Sequence, residues 1–179
     1  PAPQHEELRE QPISPYSFAK VACTHFLQML HRTENFPAVI LRPFLIYGPG
    51  QDPSRFLPQV IQGCLRDEIF PTSEGKQLRD FCYVDDAVRT IMQALIIPGV
   101  EGEVFNLAVG EPISVRDMIE MVCTLTGSGQ PDFGGIPYRP SESMELFADL
   151  SKTTNTLKCE PLVGINEGLQ RTISWYSNS

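Results

Sequence analysis

The stretch AVILRPF, residues 38–44, decides the predicted fold. Its first five residues form a short apolar run that Pro43 ends, and such a run is typical of a parallel strand buried in an α/β sheet. A helix is predicted immediately before it, over about 14–31. Ser14 supplies the cap of that helix and Pro15 suits its first position.

The same alternation of helix and strand continues along the chain. Extended segments are predicted at 68–71, 78–84 and 102–108, and helical spacing recurs at 56–66, 84–95, 115–122, 151–157 and 166–176. This order predicts an α/β fold. Because only one run is as apolar as a fully buried strand, we predict the end of a dinucleotide-binding sheet plus a small α/β substrate-binding region.

The composition argues against several classes of function. Lys and Arg total 14 against 22 for Asp and Glu, a net charge of −8, so a broad basic surface for nucleic acid is not expected. The five cysteines lack CxxC spacing and have apolar neighbours, which predicts reduced, buried thiols in a cytoplasmic protein. No metal-ligand spacing is present, so no metal site is predicted. No apolar run approaches the roughly 20 residues of a membrane span.

Tyr16 and Lys20 lie four residues apart and therefore share one face of the first helix. A phenol has a reference pKa of about 10, and an ammonium group beside it stabilises the phenolate and lowers that value. Such a tyrosine can exchange a proton with a sugar hydroxyl while a hydride moves elsewhere, and the lysine can hold a cofactor ribose. The spacing alone leaves a second interpretation open, in which both are ordinary surface residues.

The surrounding motifs favour the catalytic interpretation. SPYSFAK is followed, in order, by ILRPFLIYGPGQ, LRDFCYVDDAV, GEVFNLAVGEPISV, YRPSE and EGLQRTISWY. Together they resemble the extended short-chain dehydrogenase/reductase family, and within it the nucleotide-sugar epimerases, dehydratases and 4-ketoreductases. The resemblance covers about 14–176. It implies NAD or NADP as cofactor, a nucleotide diphosphate sugar as substrate, hydride transfer at a sugar carbon, and Tyr16 with Lys20 as the catalytic pair.

The resemblance also assigns residues to the cofactor. Tyr16 and Lys20 would bind the cofactor as well as act on the substrate, and Pro43 with Phe44 would lie beside the nicotinamide, at the carboxyl end of a strand. Phe44 could equally be an ordinary core residue. Leu45 stands where many relatives carry an asparagine that contacts the substrate, and its side chain cannot donate that hydrogen bond.

Further residues are assigned to the substrate by the same resemblance. Arg79 and Arg139 would hold the diphosphate, because a guanidinium binds phosphate oxygens bidentately and keeps its charge. The alternative is surface ion pairing with Asp80 and Glu142. Glu142 would accept a hydrogen bond from a hydroxyl group of the nucleotide ribose. The remaining substrate assignments are Arg55 and Phe56, which border the nucleotide, and Phe70, beside the base.

Two other patterns are given structural roles. Asp85 and Asp86 are adjacent and would point about 100° apart on a helix, so one is expected to cap the helix and the other to be solvated or paired. TGSGQPD, residues 126–132, is predicted to be a loop, because it follows a helix and lacks the strand–turn–helix context of a phosphate-binding glycine loop.

The family's glycine-rich loop and its catalytic Ser or Thr have no counterpart in this sequence. We therefore predict the C-terminal half of an enzyme of about 300 residues. Residues 1–50 would be a remnant of the dinucleotide-binding domain and residues 51–179 mainly a substrate-binding region. The first helix has more apolar residues than one face needs, and the resemblance implies a homodimer through that helix. The alternative is a non-catalytic, nucleotide-sugar-binding fragment.

Overall fold

A computed structural model describes residues 2–178, in which helices and strands alternate. The helices are α1 (Pro15–Glu34), α2 (Phe56–Leu65), α3 (Val84–Ile96), α4 (Val115–Thr126), α5 (Ser151–Leu157) and α6 (Ile165–Ser177). The strands are β1 (Ile40–Pro43), β2 (Leu45–Tyr47), β3 (Ile69–Thr72), β4 (Leu78–Tyr83), β5 (Val104–Leu107), β6 (Pro112–Ser114), β7 (Gln130–Phe133) and β8 (Glu145–Leu146). The predicted α/β class is confirmed.

The strands form three small sheets. β1 pairs in parallel with β5, so that Ile40 lies opposite Val104 and Pro43 opposite Leu107. β4 is the centre of the second sheet, where β2 and β8 are parallel to it and β6 is antiparallel. β3 pairs in parallel with β7. The parallel strand predicted from AVILRPF is therefore present, although only Ile40 within it is buried.

α1 begins as the sequence predicts. Ser14 is the N-cap, and its side chain accepts a hydrogen bond from the Ser17 backbone N–H at 3.1 Å. The Ser17 hydroxyl accepts in turn from the Ser14 N–H at 3.0 Å, which completes a capping box. These bonds satisfy donors that a helix start otherwise leaves unpaired, and they fix the first turn. Thr24 is the one buried residue of α1 within the described chain.

The main core lies where α2, α4 and α6 pack on β4. Leu57 and Ile61 of α2 meet Met118 and Ile119 of α4, and Leu169 of α6 closes the cluster. All five side chains are nearly or completely buried. At about 25 cal/mol per Å² of apolar surface removed from water, such a cluster is the main source of stability in this half of the chain.

α3 has an unusual distribution of apolar side chains. Its inward face is small or polar, with Ala87, Thr90 and Ala94 buried alongside Asp86. Its outward face consists of five larger apolar residues at helical spacing, Val88, Ile91, Met92, Leu95 and Ile96, whose exposed fractions run from 41% to 73%. We call these five residues the α3 stripe. A contiguous apolar surface of this kind is typical of a face that another structural element covers.

Asp86 takes a role different from the one predicted for the paired aspartates. The N-cap of α3 is Tyr83, so neither aspartate caps the helix. Asp86 is buried and accepts from the backbone N–H groups of Leu162 and Val163 at 3.1 and 3.0 Å, and from Arg89 at 2.7 Å. A fully enclosed carboxylate needs such donors because water cannot supply them.

Two smaller expectations are also corrected. TGSGQPD is a loop only at 127–129, since Thr126 is the last residue of α4, Gly127 caps that helix with φ at +72°, and residues 130–133 form β7. All five cysteines are free as predicted, but Cys23 is exposed on α1 and Cys123 is only partly buried. The prediction of buried thiols is right for the other three.

Asp80 joins the separate parts of the fold. Its side chain is fully buried, and its carboxylate accepts from the backbone N–H groups of Val109 at 2.7 Å, Gly110 at 2.8 Å and Ala148 at 3.2 Å. Burial raises the pKa of the Asp80 carboxyl above its ordinary value, although the three N–H groups lower it in part. One side chain of β4 thus fixes the turn after β5 and the segment after β8.

We predict that Asp80→Asn lowers the free energy of unfolding by about 2–3 kcal/mol, because the amide nitrogen would face N–H groups that then lack an acceptor. Urea unfolding followed by circular dichroism measures the change. Asp85→Asn is the matched control, since Asp85 is exposed, and it should leave the unfolding free energy nearly unchanged. Equal effects of the two substitutions would contradict the role assigned to Asp80.

Candidate functional site

Tyr16 and Lys20 are brought together on one face of α1, as their spacing predicts. The Lys20 Nζ lies 5.3 Å from the centroid of the Tyr16 ring. This distance is within the range of a cation–π contact. Tyr16 is the second residue of the helix, between the two serines of the capping box, and 72% of its surface is exposed. The phenol is therefore held at a rigid helix start and is open to a molecule that approaches from outside this chain.

The residues predicted to meet the nicotinamide lie at the carboxyl end of β1. Pro43 is the last residue of that strand and is exposed, while Phe44 is half-buried and its N–H donates to the Leu107 carbonyl at 3.0 Å. Leu45 begins β2 and is 41% exposed. An apolar side chain thus stands at an accessible edge where it can make contacts but no hydrogen bonds.

Arg79 is buried and paired, which differs from both sequence interpretations in detail. Its exposed fraction is 8%, and its guanidinium forms an ion pair with Glu142 and donates to the Leu78 carbonyl at 2.7 Å. The alternative of ion pairing is right in kind, but it is wrong about the place and one partner. The pair lies below the surface, and Asp80 is engaged by backbone N–H groups instead of by Arg79.

Arg139 stands at the start of the same turn that holds Glu142. The Glu142 N–H donates to the Arg139 carbonyl at 3.0 Å, and Ser141 between them has φ at +65°. The Arg139 side chain is exposed and has no side-chain partner among residues 2–178. The structure therefore places a free guanidinium three residues from a neutralised Arg79–Glu142 pair.

The three remaining predicted substrate residues lie around α2. Arg55 is the exposed N-cap of this helix, and the Phe56 ring is 36% exposed and 6.2 Å from the Phe81 ring. Phe70 lies on β3 and packs against the main core, where a Cβ on Gly63 would approach its ring to 2.8 Å. Gly63 is thus the residue that allows α2 to lie directly on Phe70.

The segment before α1 contains residues that the sequence did not single out. Arg42 of β1 donates to the Glu6 carbonyl at 3.1 Å and forms an ion pair with Glu10. Asn106 of β5 donates from its N–H to the Glu6 carboxylate at 2.7 Å and from its side chain to the Gln4 carbonyl at 2.8 Å. The chain that leads to Tyr16 is therefore tied across the ends of β1 and β5. No local signal reveals these contacts, because the partners lie 32 to 102 residues apart.

The electrostatics of this segment favour its attachment. Burial raises the pKa of Glu10, but backbone hydrogen bonding and the Arg42 ion pair outweigh it and hold that pKa below its ordinary value. His25 of α1 lies 3.7 Å from the same carboxylate. The segment before Tyr16 is thus held to both β1 and α1 by one acidic residue.

Neither a metal-ion site nor a membrane-crossing helix occurs within residues 2–178. Within the described range 2–178, no group of three or more His, Cys, Asp or Glu side chains could hold a metal ion. In the same range, none of the helices combines the length and apolar character needed to cross a membrane.

The comparison with known families agrees with the geometry. A sequence profile described as the NAD dependent epimerase/dehydratase family matches residues 1–108. The dTDP-glucose 4,6-dehydratase of Xanthomonas campestris pv. campestris is 29% identical over 178 residues, which cover 92% of this chain and 50% of that protein. The UDP-glucuronate 4-epimerase of Thermodesulfobacterium geofontis is 30% identical, with 97% of this chain and 54% of that protein covered.

Solved structures give the same family of folds. The UDP-glucuronic acid 4-epimerase of Bacillus cereus, in complex with UDP-glucuronic acid and NAD, matches with a TM-score of 0.90 and 32% identity. The match covers 98% of this chain and 56% of that one. This chain thus spans about half the length of the relatives that it resembles.

We predict that Glu142→Ala lowers the free energy of unfolding by about 3 kcal/mol, because it leaves the buried Arg79 charge without its partner. Urea unfolding measures the change. Arg139→Ala is the control and should leave stability nearly unchanged, since that guanidinium is exposed and unpaired. The double variant Arg79→Met with Glu142→Ala should lose less stability than the sum of its single substitutions. Strict additivity would contradict the pairing.

Proposed function

This chain belongs to the NAD dependent epimerase/dehydratase family, and from that premise we propose that it carries the proton-transfer and substrate-binding half of an enzyme acting on a nucleotide diphosphate sugar. The observation that carries the proposal is the Tyr16–Lys20 pair, which is aligned on one face at the capped start of α1. The reaction would be an epimerisation, dehydration or 4-keto reduction, since all three share hydride transfer at a sugar carbon.

The family is NAD-dependent, and the relative from B. cereus was crystallised with NAD. The residues of this chain fit one end of such a dinucleotide. Lys20 would donate to the nicotinamide ribose, and Pro43 and Phe44 would line the ring from the carboxyl end of β1. The bound nicotinamide would supply the hydride acceptor or donor. The choice between NAD and NADP is set outside the residues that this chain provides.

Tyr16 would move the proton that accompanies the hydride. Its hydroxyl would take the proton from a sugar hydroxyl during oxidation and return it during reduction. Lys20 would stand beside Tyr16, since its Nζ lies 5.3 Å from the centroid of the Tyr16 ring. The capped first turn fixes the backbone that carries Tyr16, which matters because proton transfer requires hydrogen-bond distance between the phenol and the sugar.

The substrate would be held mainly by its charged part. Arg139 supplies a free guanidinium for the diphosphate, and Arg79 becomes available to it when Glu142 turns to a ribose hydroxyl. Phe56 is exposed at the start of α2 and would border the nucleotide next to Arg55. Phe70 is packed against Gly63 and would contribute only its free edge to the base.

The α3 stripe supports the presence of a second, cofactor-binding half in the active enzyme. Within residues 2–178, β1 and β5 pair only with each other, so β1 presents an open edge for another parallel strand. A two-stranded parallel sheet is normally part of a larger sheet that helices cover on both faces. The occupant that fits both the open edge and the stripe is a parallel α/β half with a glycine-rich loop, which would account for the other half of the relatives' length.

A second copy of the chain would use α1. Phe18 and Phe26 are 63% and 56% exposed and lie on the same side of the helix as Met29, away from Tyr16. Of the apolar residues expected to meet a partner helix, Leu27 and Leu30 are already half-buried within the chain. We propose a homodimer through this surface. The cytoplasmic location stays a prediction from the cysteine pattern.

A non-catalytic binding fragment is the second candidate function. The observation that favours it is the 72% exposure of Tyr16, which no other part of the described chain encloses. Proton transfer to a sugar is efficient only when water is excluded from the site. The two candidates therefore differ in whether a cofactor-binding half closes over α1.

We predict that Tyr16→Phe, in the enzyme completed by its cofactor-binding half, lowers kcat by at least about 100-fold. The dissociation constant of the nucleotide sugar should change by less than about twofold, because the ring remains and only the proton-carrying oxygen is lost. Calorimetry and steady-state assays measure the two quantities. Tyr176→Phe is the matched control, since its hydroxyl bonds the Gln51 carbonyl far along the chain. Unchanged turnover in Tyr16→Phe would remove the assigned role.

We predict that Leu95→Glu weakens docking of the cofactor-binding half by at least about tenfold, because it buries a charge in an apolar interface. The probe is the part of the B. cereus epimerase that this chain does not cover, and sedimentation or calorimetry measures the complex. Leu162→Glu is the matched control, since Leu162 and Leu95 are both 73% exposed. Equal behaviour of the two variants, or self-association through α3, would contradict this docking surface without affecting the role of Tyr16.

A further inference from the structure

Two thiols meet between α2 and α4. The Sγ atoms of Cys64 and Cys123 are 3.5 Å apart, although the residues are 59 positions apart in the sequence. Cys64 is completely buried, whereas Cys123 is only partly buried and can be reached from outside. No function described above uses either residue.

The surroundings of Cys64 direct its sulfur towards Cys123. A Cβ on Gly129 would lie only 2.6 Å from the Cys64 Sγ, so the chain after α4 closes one side of the thiol. The Ser128 hydroxyl donates to the Cys64 carbonyl at 2.6 Å, and the Gly129 N–H donates to Asp67 at 3.0 Å. These two bonds fix the end of α2 against the end of α4, which keeps the two thiols next to each other.

The other cysteines are not part of this pair. Cys23 is exposed on α1, and Cys82 and Cys159 are buried in two separate apolar clusters. A disulfide within one molecule is therefore expected between Cys64 and Cys123. Exposed Cys23 would react between molecules, whereas the Cys82 thiol bonds the Tyr83 carbonyl and the Cys159 thiol bonds the Thr90 hydroxyl.

We propose that Cys64 and Cys123 form a modification site, at which a peroxide converts the two thiols into an intramolecular disulfide. The sulfurs would need to approach by about 1.5 Å to reach the disulfide bond length of about 2.05 Å. Side-chain rotation and a small shift of one helix accommodate such a movement. The backbone contacts that hold the two helix ends do not need to break.

The reaction proceeds in two balanced steps. The Cys123 sulfur attacks the peroxide and breaks its O–O bond, giving a Cys123 sulfenic acid and one water from hydrogen peroxide. The Cys64 sulfur then attacks the sulfenic sulfur, its thiol proton joins the departing hydroxide, and a second water leaves. Two thiols are oxidised by two electrons in total, and one peroxide is reduced to two waters.

The order of the two cysteines follows from their environments. Peroxide must reach the first thiol, and only Cys123 of the pair has open surface. Burial, together with the neighbouring Cys123, raises the pKa of Cys64 to about 12, so Cys64 carries little thiolate of its own. Cys64 therefore serves as the resolving thiol. Because its sulfur lies 3.5 Å from the Cys123 sulfur, the second step can proceed although little Cys64 is present as thiolate.

The disulfide would join α2 to α4, the two helices that precede the strands of the small β3–β7 sheet. α2 leads into β3, which carries Phe70, and α4 leads into β7, which pairs with it. A covalent link between the two helix ends would restrict the motion of this sheet relative to the core. The site is independent of the Tyr16–Lys20 pair, so it does not rest on the proposed enzymatic function.

The experiment treats the purified chain with hydrogen peroxide, blocks the remaining thiols, and maps the peptides by mass spectrometry without reduction. We expect a Cys64–Cys123 cross-linked peptide, a mass loss of two hydrogen atoms, and an unfolding midpoint several degrees higher that a dithiol reductant reverses. Cys23→Ser should keep all three results, whereas Cys123→Ser should abolish them.

Three outcomes would overturn the proposal. They are a Cys64 that stays a free thiol while Cys123 is oxidised further, a cross-link of Cys64 or Cys123 to Cys23 in place of the expected one, and no Cys64–Cys123 cross-link at all. Peptide mapping of the unsubstituted chain decides among them, so the test does not depend on whether a core variant such as Cys64→Ser folds.

Discussion

The buried carboxylate of Asp80 is the constraint on which the arrangement of this chain depends. It lies on β4, in one sheet, and it accepts from Val109 and Gly110, which follow β5 of another sheet. It also accepts from Ala148, next to the residues that pair with the segment before α1. A buried carboxylate without donors would be very costly, so these N–H groups and Asp80 require one another. Asp80 therefore holds together two sheets that the chain also joins directly through Phe44, between β1 and β2.

Asp86 is a second buried carboxylate that joins separate segments through backbone N–H groups. It connects α3 with the segment before α6 through two backbone N–H groups, and Arg89 compensates its charge. With Asp80 it converts an acidic stretch, LRDFCYVDDAV, into two internal attachment points. The acidic composition of the chain is thus only partly a surface property. Two of its carboxylates act inside the fold, where each replaces water as the acceptor for backbone groups.

Local signals were sufficient for the helices, for β1, β3, β4 and β5, and for part of the site, whereas β2, β6, β7 and β8 were not predicted. The cap of α1 followed from Ser14 and Pro15, and the face shared by Tyr16 and Lys20 followed from helical spacing alone. The roles of Asp80 and Asp86 could not be predicted, because their partners lie 29 to 77 residues away. Ion pairing of Arg79 with Glu142 was predicted only as an alternative, and at the surface, since a sequence does not show the turn that returns the chain and buries the pair.

α3 shows a different limit of sequence reasoning. Its periodicity correctly predicted a helix, but apolar residues occur on both of its faces, so the pattern did not say which face points inward. Within the described residues, the smaller side chains Ala87 and Ala94 face the core and the larger ones face outward. Small inward residues let the helix approach the β1–β5 layer closely, whereas large outward residues suit a broader contact. A helix built in this way is suited to lie between two layers. Tyr16 of α1 is another exposed residue that a second layer could cover. The further α/β layer proposed above would meet the open edge of β1 and cover both surfaces.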